Sequence, residues 1–155
     1  MSLPDWADGI YSALDAKMGI ELFELSATRS TGRMPVEGNT QPFGFWHGGA
    51  SCVLAETLGS LGALAHAGPG RAAYGVDLNA THHRPVTDGW VTGTATPLRR
   101  GRTVATYEVL LTDDQGRRVC TARLTCHLAA DPGERSGSVV ENVILRNPSS
   151  GSAAG

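Results

Sequence analysis

One acidic residue lies inside an otherwise uncharged segment and is the first candidate for chemistry. From Gly48 to Ala67 the chain contains Glu56 and no lysine or arginine, although the whole sequence has 13 Lys+Arg and 15 Asp+Glu. A carboxylate on an apolar helix is costly unless it is paired or neutralised, so it tends to persist where chemistry needs it. Glu56 is therefore a candidate general base or nucleophile, with a solvated surface glutamate as the structural alternative.

The same segment opens with the tripeptide His47-Gly48-Gly49. Glycines at a helix start leave unpaired backbone N–H groups accessible, at the end where partial positive charge collects. Such a site suits an anion or a developing oxyanion. Gly-Gly before a helix is often only a turn, but its combination with Glu56 on one uncharged helix favours the functional interpretation.

A basic cluster forms a second candidate site. Arg99, Arg100 and Arg102 surround Gly101, and Arg84 ends the preceding predicted strand. The guanidinium fork suits phosphate geometry, so a ligand with several phosphates would account for these residues, although such turns are usually only solvated. Nucleic acid is a weaker alternative because no aromatic residues are interleaved to stack on bases.

Histidines and small nucleophiles give incomplete constellations. His82-His83 and His66 lack a third ligand at a spacing typical of a metal site. A pair of His47 with Ser51 or Cys52 lacks the strand-turn setting of a nucleophile elbow. We therefore predict no metal and no cofactor.

The segment Gly48 to Ala67 is predicted to be one long helix, ended by Gly68-Pro69-Gly70. At about 100° per residue, two faces separate. The face expected to meet the core carries Leu54, Leu58, Leu61 and Ala65, and the opposite face carries Cys52, Glu56, Gly59 and Ala63. Without a charged stripe, we expect both faces to be covered, one by the core and one by something that approaches closely.

Around this helix the sequence predicts a set of antiparallel strands. A short amphipathic helix, Asp5 to Met18, precedes strands Ile20 to Ala27 and Thr31 to Val36. After the central helix come four further strands: Ala72 to His83, Gly89 to Leu98, Thr103 to Thr112 and Arg118 to Ala129. This order indicates an α+β domain whose sheet curls around or covers the helix.

Length and composition favour one domain acting on a small partner. The 155 residues suit a domain spanning 1–130, with 1–18 as a helical cover and 131–155 as a mostly disordered tail rich in Pro, Gly, Ser and Asn. A net charge of -2 gives no global attraction to nucleic acid or membrane. No leader is evident and no apolar run approaches about 18 residues, so we expect a cytoplasmic protein. The three cysteines are expected to be buried small hydrophobes.

Several motifs together resemble one family. They are Gln41, His47-Gly48-Gly49 with the step to Glu56, Ser60, Asn79 to Pro85 and Leu98 to Thr103. This set is similar to the hotdog-fold acyl-CoA thioesterases, in particular the group of PaaI and the Glu-type 4-hydroxybenzoyl-CoA thioesterases. The resemblance implies a hotdog fold, in which a curved antiparallel sheet wraps the long helix. It also implies a homodimer or a dimer-of-dimers tetramer with active sites at the dimer interface.

The resemblance also implies roles for individual residues. Glu56 matches the family's catalytic carboxylate, and Gly48 matches the residue whose N–H polarises the thioester carbonyl. His47 and Gln41 match residues that help to place the carbonyl and the substrate. Ser60 matches a hydroxyl that positions water or substrate. The implied CoA-binding residues are Gly75, His82, His83, Arg84, Pro85, Arg99, Arg100, Gly101, Arg102 and Thr103. The acyl-pocket positions Phe45, Trp46 and His83 match no particular relative, so the acyl group stays open.

The function implied is hydrolysis of an acyl-CoA thioester with an aromatic or medium-chain acyl group. Glu56 would act on water as a general base, or add directly to give a mixed anhydride, and the sequence leaves both open. Two alternatives are a hotdog hydratase or dehydratase and a noncatalytic acyl-CoA binding protein. The spacing from HisGlyGly to Glu56 favours the thioesterase over the first, and the set of Glu56, Gln41, His47 and Ser60 argues against the second.

Overall fold

A six-stranded antiparallel sheet curves around one long helix in the computed structural model, which describes residues 3–7, 10 and 12–131. The strands are β1 Glu21–Leu25, β2 Ser30–Pro35, β3 Arg71–His82, β4 Trp90–Arg100, β5 Val104–Thr112 and β6 Arg118–Ala130, in the spatial order β1-β2-β4-β5-β6-β3. A 3₁₀ turn Asp5–Ala7, the helix α1 Ala13–Met18 and the long helix α2 Gly48–Ala67 complete the described elements. The predicted α+β class is confirmed.

Helix α2 has the predicted bounds and lies close to the sheet because of its small residues. A Cβ at Gly59 would overlap the Leu124 side chain of β6, and one at Gly62 would lie 2.9 Å from the Tyr107 ring of β5. The Tyr107 hydroxyl lies within hydrogen-bond distance of the Gly62 carbonyl, at 2.9 Å, and of the Ala27 carbonyl, at 2.8 Å, and has one proton to donate to them. Burial raises the Tyr107 pKa to about 12, so the phenol stays a neutral donor.

The predicted division of α2 into two opposite faces is wrong, and coverage of the Glu56 face by a partner stays a prediction. Leu54 and Leu58 are fully buried, but Gly59 and Ala63, assigned to the face of Glu56, are buried against the sheet as well. Leu61 is only half-buried and Glu56 is exposed. Small residues on this helix therefore let its own sheet pack closely against it. The Glu56 side chain remains exposed.

The N-terminal helix is shorter than predicted. Instead of running from Asp5 to Met18, α1 begins after the N-cap Ser12 and ends, as expected, at Gly19, which has a positive φ of 73°. The Thr57 hydroxyl of α2 donates a 2.9 Å hydrogen bond to Asp15, whose carboxyl pKa is raised by burial. This segment therefore packs on α2 next to Glu56.

The remaining predictions agree with the structure except at element ends. Strand β1 stops at Leu25 because the Ser26 hydroxyl accepts hydrogen bonds from the N–H groups of Thr28 and Arg29 in a turn. Strand β4 continues to Arg100, so Arg99 and Arg100 lie in the strand and not in the turn. The predicted tail after residue 131 lies outside the described residues.

The expectation that no segment approaches a membrane span is also wrong. Among the described residues, α2 is long and apolar enough to cross a membrane, with 20 residues and a mean hydropathy of 1.2. In the fold, however, its inner face is packed against the sheet, which is the environment of a core helix.

Strand β3 forms one edge of the sheet and β1 the other. On β3, Tyr74 is 44% exposed and Val76 is 63% exposed. Its pairing with β6 shifts register between Gly75 and Asp77, as at a β-bulge. Apolar side chains and unpaired backbone groups on such an edge favour pairing with another strand.

Candidate active site

A cleft of about 420 Å³ opens beside the N-terminus of α2. Its lining combines the helix start, the loop before the helix and the end of β3, and consists of Gln41, Phe45, Trp46, Gly48, His82, His83, Arg84, Pro85 and Val119. The fold thereby brings together two predicted carbonyl-site residues and four predicted CoA-binding residues. It also places Phe45 and Trp46, the open acyl-pocket positions, in the same cleft.

Gly48 carries the predicted carbonyl-binding N–H. As the first residue of α2 it has no acceptor within the helix. No hydrogen bond from this N–H is found in the part of the chain that the structure describes. The group is therefore available to a ligand at the positive end of the helix dipole.

His47 is the N-cap of α2. Its Nδ1 accepts a 2.8 Å hydrogen bond from the Gly49 N–H. In the neutral imidazole this bond places the proton on Nε2, so the ring presents an N–H donor on its exposed side. The residue predicted to assist the carbonyl thus also stabilises the helix end that holds Gly48.

Gln41 is fixed by the loop that leads into α2. Its side-chain oxygen accepts a hydrogen bond from the Phe43 N–H, and its backbone N–H donates to the Phe45 carbonyl at 2.8 Å. The side-chain NH₂ group is then the part of Gln41 left to donate to a ligand. Deeper in the same loop, the buried Trp46 donates from Nε1 to Ser51 Oγ at 2.6 Å.

Glu56 belongs to a second group, farther along α2. A Cβ at Gly75 would overlap Glu56 Oε1, so the carboxylate lies directly over β3 at a glycine. Burial raises the pKa of the nearby Cys126 thiol, which interacts with both the Ser60 hydroxyl and the Glu56 carboxylate. The structure thus brings Glu56, Ser60 and Gly75 together, at the edge strand.

The arginine turn forms a third group at the other end of α2. His66 Nε2 lies 2.9 Å from the Gly101 carbonyl and donates to it. Arg71 Nη2 donates to the carbonyls of Arg102, at 2.8 Å, and Leu128, at 3.1 Å. The Thr103 carbonyl accepts from the Leu128 N–H at 2.8 Å. These bonds fix the turn while the side chains of Arg99, Arg100 and Arg102 remain exposed.

The three groups are well separated within one chain. Glu56 follows Gly48 by eight residues, or ~12 Å of helix. His66 follows Gly48 by eighteen residues, or ~27 Å of helix. This spacing along α2 separates the backbone of Glu56 from the helix start that carries Gly48. It also separates the arginine turn from the cleft that Arg84 lines.

Comparisons with known proteins identify the family of this chain. The sequence profile of the thioesterase superfamily matches residues 43–120. The proofreading thioesterase EntH of Klebsiella pneumoniae is 47% identical over 110 residues, which make up 70% of this chain and 80% of that protein. The chain belongs to the thioesterase superfamily.

Solved structures agree with this membership. Thioesterase HI1161 of Haemophilus influenzae has a TM-score of 0.77 and 33% identity, over 84% of this thioesterase and 92% of that chain. A mutant of thioesterase PA1618 of Pseudomonas aeruginosa has a TM-score of 0.74 and 34% identity, over 77% of this thioesterase and 87% of that chain. The predicted hotdog fold and the assignment as a thioester hydrolase are confirmed.

Two residues of this thioesterase were missed by sequence reasoning. His66 was considered only as a metal ligand and Arg71 was not considered, yet both hold the arginine turn. Arg71 begins β3, so only the pairing of β3 with β6 places it near that turn. The bond from His66 joins the last turn of α2 to the turn between β4 and β5, so its helix-end position alone does not predict this partner.

Cysteine and metal predictions fare differently. Cys120 and Cys126 are buried, as expected, whereas Cys52 is only partly buried. Among the described residues, no group of three or more His, Cys, Asp or Glu is arranged to hold a metal ion. Independence from metals and cofactors stays a prediction.

Proposed function

We propose that this thioesterase hydrolyses acyl-CoA thioesters, with the carbonyl oxygen held by the Gly48 N–H and with Glu56 as the general base or nucleophile. The observation that carries the proposal is the available N–H of Gly48 at the positive end of α2, in an open cleft with Gln41. A donor placed where charge develops lowers the barrier to attack on the carbonyl. The confirmed thioester-hydrolase class supports the choice of reaction.

We further propose that each active site combines two subunits. Gly48 and Glu56 of one chain are ~12 Å apart along α2, whereas a general base must lie within about 3 Å of the proton it takes, or one water away. Glu56 is exposed in the single chain, and it lies over β3, the edge strand of its own sheet. Pairing of β3 with a second copy would bring a partner toward this carboxylate.

Two routes are compatible with this arrangement. In the first, Glu56 takes a proton from water as the water oxygen bonds to the carbonyl carbon, and the C–S bond then breaks. In the second, a Glu56 oxygen bonds to the carbonyl carbon, CoA thiolate leaves, and water opens the mixed anhydride. In both, the Gly48 N–H stabilises the oxyanion, Ser60 assists water or substrate, and the thiolate leaves and is protonated by solvent.

The CoA portion of the substrate is assigned to two cationic regions. Arg84 lies in the cleft next to His83 and Pro85, and Arg99, Arg100 and Arg102 surround Gly101 at the far end of α2. Since one chain separates these regions, we assign them to different subunits of one site. The acyl group is proposed to be aromatic or medium-chain, next to Phe45 and Trp46, and the enzyme to act in the cytoplasm.

A panel of thioesters tests the reaction. Benzoyl-, phenylacetyl-, hydroxynaphthoyl- and medium-chain acyl-CoAs are incubated with the enzyme, and free thiol is measured with a thiol reagent. We expect release from at least one aromatic or medium-chain substrate. Hydration or dehydration of an enoyl or hydroxyacyl thioester without thiol release would contradict the proposal, as would tight binding of acyl-CoA without turnover.

Mixed subunits test the shared site. Glu56→Gln and Gln41→Ala chains, each inactive alone, are co-expressed with different tags and the doubly tagged species is purified. If the two residues of one site come from different subunits, the mixed dimer has one intact site and recovers about half of the wild-type activity. No recovery, or sedimentation of the wild type as a monomer at micromolar concentration, would contradict the interface.

A further inference from the structure

The imidazole of His82, the last residue of β3, lies against the first residue of α2. A Cβ at Gly48 would lie 2.9 Å from His82 Nε2 and 3.1 Å from Cε1. Gly48 is helical and is not among the glycines with a positive φ, so its backbone conformation does not require glycine. Glycine at this position instead leaves room for the ring, with Nε2 as its nearest atom.

His82 differs from His47, His66 and His83 in what its ring contacts. His47 accepts from the Gly49 N–H, His66 donates to the Gly101 carbonyl, and His83 Nε2 lies 2.9 Å from Thr121 Oγ1. Within the described part of the chain, the His82 ring makes no hydrogen bond, and the residue is exposed. Its nitrogens are therefore available to a substrate in the cleft that it lines with Gly48 and Gln41.

We propose that His82 is a catalytic residue that donates a hydrogen bond from Nε2–H to the thioester carbonyl oxygen, beside the Gly48 N–H. This inference rests on the proposed function and reassigns His82 from CoA binding to the carbonyl. A carbonyl oxygen can accept two hydrogen bonds, and a backbone N–H and a ring N–H converging from the helix start and the strand end supply them. No proton is transferred, because the donated proton stays on Nε2 while the oxygen gains and then loses its charge.

The rates of His82→Ala test the assignment. Loss of an oxyanion donor is expected to lower kcat by about 100-fold with little change in KM. His82→Gln, which retains an N–H donor, should recover part of kcat, and thermal unfolding confirms that both variants fold. The matched control is Arg84→Ala in the same cleft, which should act mainly on KM. A rise in KM with unchanged kcat for His82→Ala would return His82 to CoA binding.

A double-mutant cycle with Gly48→Ala tests the contact itself. The new methyl group keeps the Gly48 N–H but must displace the His82 ring. We expect Gly48→Ala to lower kcat in the wild-type background and to have little further effect in the His82→Ala background. Equal, additive effects in both backgrounds would overturn the proposal.

A spectroscopic readout separates donation from support of the fold. In Glu56→Gln, which we expect to bind substrate and hydrolyse it only slowly, infrared difference spectra report the thioester carbonyl stretch. Removing His82 should shift this band toward higher frequency, and Arg84→Ala should not. An active wild type whose His82→Ala variant keeps its kcat and its carbonyl band refutes this inference alone, whereas a wild type that releases no thiol from any acyl-CoA refutes the proposed function with it.

Discussion

Two glycine contacts on helix α2 have opposite arrangements. At the helix start, the helix supplies the glycine, Gly48, and the end of β3 supplies the facing side chain, His82. Two turns later, β3 supplies the glycine, Gly75, and the helix supplies Glu56. In both places a missing Cβ leaves the room that a polar side chain of the facing element occupies.

The difference lies in the chemistry that each contact can perform. The Gly48 contact offers a backbone N–H and the proposed ring donor of His82 at the positive end of the helix dipole, which suits a developing negative charge. The Gly75 contact offers a carboxylate, which suits taking a proton or attacking a carbonyl. Because they are ~12 Å apart on one helix, the proposed mechanism uses the Gly48 contact of one subunit and the Gly75 contact of another.

Of the variants that test this comparison, Glu56→Gln should have the largest effect on hydrolysis. We expect thiol release to fall by about 100-fold or more, since glutamine keeps the shape but neither takes a proton nor attacks. Stability should change by no more than about 0.5 kcal/mol, because the side chain is exposed in the single chain. The measurements are acyl-CoA hydrolysis and urea unfolding. A folded variant with wild-type turnover would exclude Glu56 from the mechanism.

Gly75→Ala should have the next largest effect. The added Cβ overlaps Glu56 Oε1 and displaces the carboxylate, and a misplacement of about 1 Å is enough to reduce kcat by up to about 100-fold. Steady-state kinetics with the best acyl-CoA measure the loss. In the Glu56→Gln background the same substitution should cause little further loss. Independent effects in both backgrounds would show that Gly75 acts without Glu56.

Arg84→Ala and Arg102→Ala sharpen the comparison between the two ends of α2. If both guanidinium groups contact CoA phosphates, each variant should raise KM by about tenfold, the loss expected for a charge-assisted hydrogen bond, with kcat preserved. A truncated thioester that lacks the nucleotide provides the control and should show no difference from wild type. A fall in kcat at unchanged KM would contradict the assignment for either arginine.

The smallest of these main effects is expected for His47, where it falls on the free energy of unfolding. His47→Ala removes the acceptor for the Gly49 N–H and should cost about 1 kcal/mol, whereas His47→Asn supplies a good N-cap and should cost little. Urea unfolding of the two variants measures the difference. Equal destabilisation by both variants would mean that the cap contributes nothing. If His47→Asn keeps the cap, its activity reports the loss of the Nε2–H donor separately.

Local patterns predicted the fold well. The uncharged run between His47 and Gly68 gave the bounds of α2, and the turn signals at Asp88-Gly89 and Asp113 to Gly116 separated the later strands. The N-terminal helix was overestimated because its apolar residues recur every fourth position, whereas α1 starts only at its cap Ser12. Spacing alone does not show where a short helix begins.

The candidate site was less accessible to sequence reasoning. An uncharged helix was expected to hide Glu56, but composition does not show which face a sheet takes, and Gly59 and Ala63 turn toward Leu124 and the core. The approach of His82 to Gly48 depends on where β3 ends relative to the start of α2, which no local pattern encodes. Motif resemblance placed these residues in a site without giving their distances.

The edge position of β3 has a consequence for how the enzyme behaves on dilution. Tyr74 and Val76 are exposed on this strand, and the strand also carries Gly75 beneath Glu56. If a second copy pairs with β3, mass action makes the melting temperature rise with protein concentration. Specific activity would then fall together with the melting temperature at low concentration, because the strand that pairs the subunits also lies beneath the proposed catalytic carboxylate.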